Sequence, residues 1–162
     1  MYEEQLARAI QLRTENKKQA SNQLLVQMVM EYPHDAAVNY QCAWSFDVLG
    51  EELKAVPYYE KAIKQGLSGA DLEGAFLGLG STYRTLGEYE KSKKILLQGI
   101  TLFPSNKALQ VFYAMTLYNL HEHHKAMELL LQCLVDTTTD AEILSYQKAI
   151  HFYATQLDKV WK

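Results

Sequence analysis

Basic residues are not in surplus: 16 lysines and arginines face 19 aspartates and glutamates, for a net charge of −3. Without excess cations to displace counterions from phosphates, the electrostatic case for nucleic acid disappears. The same balance argues against adsorption to an anionic membrane. Cysteine is scarce, with only Cys42 and Cys133, so a disulfide framework is excluded and a reducing compartment is indicated. No apolar run approaches the ~20 residues of a membrane span. The opening Met1-Tyr2-Glu3-Glu4-Gln5 has neither the basic nor the apolar region of a secretory signal, so a cytoplasmic location is expected. Proline occurs three times, at 33, 57 and 104, which suits a helical chain. A phosphate-cradling loop is missing too. Gly74, Gly78 and Gly80 sit inside an expected helix, and no Lys-Ser/Thr follows in register. Gly78 either permits a close backbone approach or merely weakens that helix.

What the sequence does contain is a repeat. Two Leu-Gly-Glu turns, 49–51 and 86–88, each follow an aromatic residue, Phe46 and Tyr83. A 34-residue frame extended from them gives units at 2–35, 36–72, 73–106 and 107–140, the second lengthened by three residues near Gly66-Leu67-Ser68-Gly69. Position 8 of each unit reads Ala9, Ala43, Gly80, Ala114. Position 20 reads Ser21, Ala55, Ser92, Ala126, and position 27 reads Met28, Ala62, Gly99, Cys133. Eleven of these twelve are Ala, Gly, Ser or Cys, types that make up about a fifth of the chain. Two helices crossing near ~8 Å leave room only for such side chains between their backbones. Large residues recur beside them, as at position 11 with Leu12, Phe46, Tyr83 and Leu117. Small beside large is what dense interdigitation requires.

Punctuation follows the same frame. Position 15 is Asn16, Gly50, Gly87, His121, residues that tolerate a left-handed helix end to differing degrees. Pro33 and Pro104 stop second helices, and Asp35, Asn106 and Asp140 stand where an N-cap is needed. A helix–turn–helix unit of this length, with small residues at 8, 20 and 27, an aromatic or Leu at 11 and Pro at 32, resembles the tetratricopeptide repeat. The match is fullest in 73–106, where Phe76, Leu79-Gly80, Tyr83, Gly87, Tyr89 and Pro104 all fall in place. Gln5 and Asn39 depart from the usual aromatic at position 4, and Arg8 from Leu at position 7. The resemblance implies a single all-α domain over 1–162, a right-handed α-solenoid of four hairpins, similar to small cytosolic bacterial repeat proteins. Ile143, Tyr146, Ile150, Tyr153, Leu157 and Trp161 form one apolar stripe, so 141–162 is expected to be a single capping helix.

At 100° per residue, positions 5, 9 and 12 of each first helix share a face beside the packed one. The resemblance makes that face the concave, ligand-binding side. It holds Leu6, Ile10 and Arg13 in the first unit, then Tyr40, Trp44 and Asp47 in the second. The third unit contributes Leu77, Ser81 and Arg84, and the fourth Val111, Met115 and Tyr118. Apolar residues edged by charge mark an interaction surface, although the same side chains could pack on one another. Some family members grip a terminal carboxylate with Lys and Asn at positions 5, 6 and 9, and this chain has neither at 5 or 9. The expected partner is therefore an amphipathic helix, an extended apolar peptide, or a second copy in a homodimer. A ligand-responsive regulator taking a small peptide or metabolite is the alternative.

Catalysis and cofactors find little purchase. His121, His123 and His124 cluster with Glu122 at a turn, where solvated polar groups belong, and no further donor converges for a metal. Cys42 and Cys133 fall at inward positions and read as small hydrophobes. Lys91, Lys93 and Lys94 with Glu88 and Glu90 read as a solvated face. The expectation is a binding protein that is not an enzyme and needs no cofactor.

Overall fold

The computed structural model describes residues 1–162. Its contacts divide the chain into two compact units, Met1–Glu88 and Tyr89–Lys162. The first unit holds α1 (Tyr2–Thr14), α2 (Lys18–Glu31), α3 (Ala36–Asp47), α4 (Glu52–Lys64) and α5 (Gly69–Thr85). The second holds α6 (Tyr89–Leu102), α7 (Lys107–Asn119), α8 (His123–Thr137), α9 (Ala141–Ser145) and α10 (Gln147–Ala154). None of these helices is long and apolar enough to cross a membrane.

The hairpins begin and end for local reasons. Asn16, Gly50, Gly87 and His121 all carry positive φ, between 61° and 78°, which reverses the chain after a helix. Asp35, Asn106 and Asp140 accept hydrogen bonds from the amides of Val38, Leu109 and Ile143, satisfying first-turn donors of α3, α7 and α9. Within the hairpins the small side chains are buried: Ala9, Ser21, Ala43, Ala55, Ser92 and Ala114 have no accessible surface. The approach is close enough for a direct bond across it, since the Ser21 hydroxyl of α2 donates to the Ala9 carbonyl of α1 at 2.7 Å. Around them pack Leu25, Met28, Tyr59 and Leu79 in the first unit and Leu96 and Leu109 in the second, each closed to solvent.

The end of the chain differs from expectation. Residues 141–162 form two short helices and a non-helical segment in place of one capping helix. At Tyr146 the amide bonds to Ile143, three residues back, and α9 ends there. After Ala154 the chain turns back, with Gln156 bonded to Tyr153 and Lys159 to Gln156. Continued helix would carry Trp161 roughly 10 Å beyond Ala154. The turns instead place its indole 5.6 Å from Tyr153 and 6.0 Å from Phe152. Aromatic contact of this kind replaces solvent on at least one side of each ring. Packing of α10 on α8 buries only part of the stripe, and Tyr146, Tyr153, Leu157 and Trp161 stay exposed.

Candidate functional site

In the first unit α1 touches α3, and α3 touches α5, so the first helices of successive hairpins lie side by side. The face they share carries a connected set of side chains. Arg13, in the last turn of α1, donates from Nη2 to Gln41 Oε1 of α3 at 2.6 Å. Its guanidinium lies over the Trp44 indole, with Cζ 3.8 Å from the ring centroid. A planar, delocalised cation over an aromatic face is favourable by about 0.5–2 kcal/mol, depending on desolvation. The remaining amino group, Nη1, is shut off from solvent and has no acceptor. Burial lowers the Arg13 pKa from its ordinary value, and the titratable neighbours opposing that shift are Tyr40 and Tyr59, not a carboxylate. Arginine stays protonated regardless, so this is a half-buried cation without an ionic partner.

Asp47 ends α3 on the same face, yet its carboxylate is engaged elsewhere. Tyr59 of α4 donates its hydroxyl to Oδ2 at 3.0 Å, and Thr82 of α5 donates to Oδ1 at 3.2 Å. Burial raises its pKa, and the two hydroxyl bonds pull it back. Asp47 thus ties three helices together, a role that register arithmetic does not foresee. Tyr40 is a correction to the expected open face. It is only 6% exposed, with its ring 5.9 Å from Trp44 and 6.2 Å from Tyr59. Its hydroxyl fills the space that a side chain at Gly74 would need. Trp44, at 39% exposure, is the aromatic residue that this face leaves open.

The other expected residues divide by unit. Leu6, Ile10, Leu77, Ser81 and Arg84 are half-buried in the first. Val111 and Met115 are half-buried in the second, on α7, where Tyr118 is 63% exposed with its ring edge against His123. Gln41, Tyr59, Thr82, Gly74 and Gly78 were not anticipated as parts of the site. The one signal for them is a pair of glycines one turn apart inside α5. A Cβ on Gly78 would stand 2.5 Å from the Tyr59 hydroxyl oxygen and 2.6 Å from Cζ. Close approach is therefore what Gly78 provides.

The remaining chemistry-bearing residues are dispersed. His121 and His123 stack edge to face, and His124 Nε2 lies 3.0 Å from Asp158 Oδ2, both exposed. No three His, Cys, Asp or Glu side chains are gathered to hold a metal ion. Burial pushes the Cys42 thiol up to about 12, so it stays protonated. Lys93 pairs with Glu122, which Lys125 also reaches at 2.6 Å, and the two cations hold that carboxyl down to about 2.

Comparison with known proteins agrees with this architecture. A profile of the family described as Tetratrico peptide repeat matches residues 36–157. Superkiller protein 3 of Saccharomyces cerevisiae is 27% identical over 104 residues, 60% of this chain and 7% of that protein, so the chain spans a small fraction of that relative. Among solved structures, MamA 41-end from Desulfovibrio magneticus RS-1 superposes with a TM-score of 0.74 at 14% identity, over 96% of this chain and 89% of that one. YrrB, described as a TPR protein with an unusual peptide-binding site, gives 0.71 at 15% identity, over 94% and 77%. At such identities the likeness shows the fold, an all-α solenoid of helical hairpins.

Proposed function

Because the chain belongs to the tetratricopeptide repeat family, a fold of protein-interaction scaffolds, we propose that it is a non-catalytic binding protein that takes a peptide or protein segment on the face of α1, α3 and α5. One observation carries the reading. Trp44 stands partly exposed on that face, with Arg13 over its ring and Tyr40 beside it. Trp, Tyr and Arg are the side chains that most often dominate binding energy, because they bring large, rigid area and directed donors together. Leu6, Ile10 and Leu77 supply apolar area nearby, which favours an apolar segment. The protonated state of the buried Cys42 supports the non-catalytic part. The test is an array of short peptides, acetylated and amidated, probed with the native chain and with Trp44→Glu. Binding by native protein that Trp44→Glu abolishes, with its helix content unchanged, supports the proposal. Equal binding by both proteins refutes it.

Self-association is a second reading, favoured by a different observation. In the second unit Met127, Leu130 and Leu134 leave an apolar strip on α8, and Phe152, Tyr153 and Trp161 are exposed nearby in the chain's last segment. Sedimentation equilibrium distinguishes the readings: a dimer that Phe152→Glu dissociates supports this one, and a monomer at high concentration refutes it.

A further inference from the structure

We propose that Arg13 is the receptor for an Asp or Glu side chain borne mid-chain by an otherwise apolar, extended segment of a partner protein. This rests on the binding reading above and names the chemistry of the ligand. A guanidinium offers five N–H donors and carries a permanent positive charge. Here one hydrogen bond goes to the neutral Gln41, while Nη1 is enclosed without an acceptor. Leaving a half-buried cation without a counter-charge is costly, and an incoming carboxylate lowers that cost while adding charge-assisted hydrogen bonds. The carboxylate that shares the face cannot serve, because Asp47 is occupied by Tyr59 and Thr82.

Position decides between a side chain and a chain end. Arg13 lies at the seam of α1 and α3, with Ile10 and Leu6 one and two turns earlier on α1 and Leu77 across α3 on α5. A ligand that reaches both apolar flanks must pass Arg13 in mid-chain, so its carboxylate belongs to a side chain. The guanidinium lies against the Trp44 indole, so a carboxylate bound by Arg13 sits beside that ring. Ligand binding therefore perturbs Trp44 directly.

The experiment uses two arrays of short peptides, acetylated and amidated so that no terminal charge remains. One has Glu fixed at the centre with Leu, Val, Ala and Ser varied around it; the other has Gln there. Fluorescence polarisation then compares the best pair against the full chain and against Arg13→Gln. The native chain should prefer the Glu peptide by roughly tenfold, the scale of one charge-assisted bond. Arg13→Gln should erase that preference while binding the Gln peptide as before, and Arg13→Lys should restore only part of it, since lysine keeps the charge without the fork. Urea unfolding of each variant establishes that it folds. Equal affinity for Glu and Gln peptides, or a preference that survives in Arg13→Gln, overturns the assignment. So does a central Gln peptide whose free C-terminus binds more tightly than the amidated Glu peptide. In those cases loss of binding by Trp44→Glu would leave the broader reading standing. Failure of every peptide at about 1 mM, the weak end of specific association, would remove both.

Discussion

Replacing Gly78 with alanine sets two effects against each other, and the structure decides the sign. Alanine in a helix interior is favoured over glycine by about 1 kcal/mol, because glycine has more backbone freedom to lose. The new methyl, however, would lie 2.5 Å from Tyr59 Oη, 2.6 Å from Cζ and 2.9 Å from Cε1. Tyr59 has little freedom to yield, being 2% exposed and bonded to Asp47. Overpacking of this kind costs about 1–3 kcal/mol. Displacing the ring also strains a hydrogen bond to a charged acceptor, which contributes about 1.5–3 kcal/mol when lost outright. The balance is a net destabilisation of about 2 kcal/mol. With a urea slope of about 1–3 kcal/mol/M, the midpoint should fall by roughly 1 M. Circular dichroism at 222 nm reads it. A midpoint raised above that of the native chain would mean that helix propensity dominates and that Tyr59 does not occupy the space opposite Gly78.

Gly74→Ala meets only the tip of Tyr40, so it should destabilise the native chain yet become neutral or favourable in a Tyr40→Phe background; a double-mutant cycle in urea measures the coupling, and additivity would contradict the contact. Asn39 donates from Nδ2 to the Pro33 and Asp35 carbonyls and to Gln65 Oε1, so Asn39→Ala should cost about 1 kcal/mol by removing these donations, although Gln65 Nε2 still reaches the Pro33 carbonyl and the residue 39 amide still reaches that of Asp35; the urea midpoint again reads it. Glu122 has its folded-state pKa depressed from 4.5 to about 2 by Lys125 and Lys93. A depressed carboxyl stabilises the fold above its unfolded pKa and loses that contribution as pH falls towards the folded one. The melting temperature of Glu122→Gln should therefore lie below native at neutral pH, and the gap should close between pH 4.5 and 2; a gap independent of pH would refute the ion pairing.

Much of the helical framework was legible because it depends on short-range constraints. A crossing that admits only a tiny side chain writes Ala9, Ser21, Ala43 and Ala55 into the sequence at fixed spacing. A left-handed residue at each tight turn selects Asn16, Gly50, Gly87 and His121. The departure of Asn39 from the family's aromatic was visible, but its purpose was not, since its acceptors lie in the loop before α3 and at Gln65. Periodicity assigns a side chain to a face without saying what covers it. Tyr40 was placed on the right helix face and is nevertheless sealed by its neighbours and by Gly74. Asp47 read as an edge charge because Tyr59 and Thr82 are distant in sequence. The apolar stripe through Trp161 satisfied a helix pattern, yet a chain that doubles back after Ala154 brings the same aromatic residues together.

The most direct measurement follows the emission of Trp44 in a Trp161→Phe background, where it is the sole tryptophan, while the tightest array peptide is titrated. Docking against α1, α3 and α5 requires a saturable change in that emission, with a midpoint equal to the calorimetric Kd and roughly tenfold weaker in Arg13→Gln. Calorimetric binding with no change at Trp44 would place the ligand elsewhere and contradict the account.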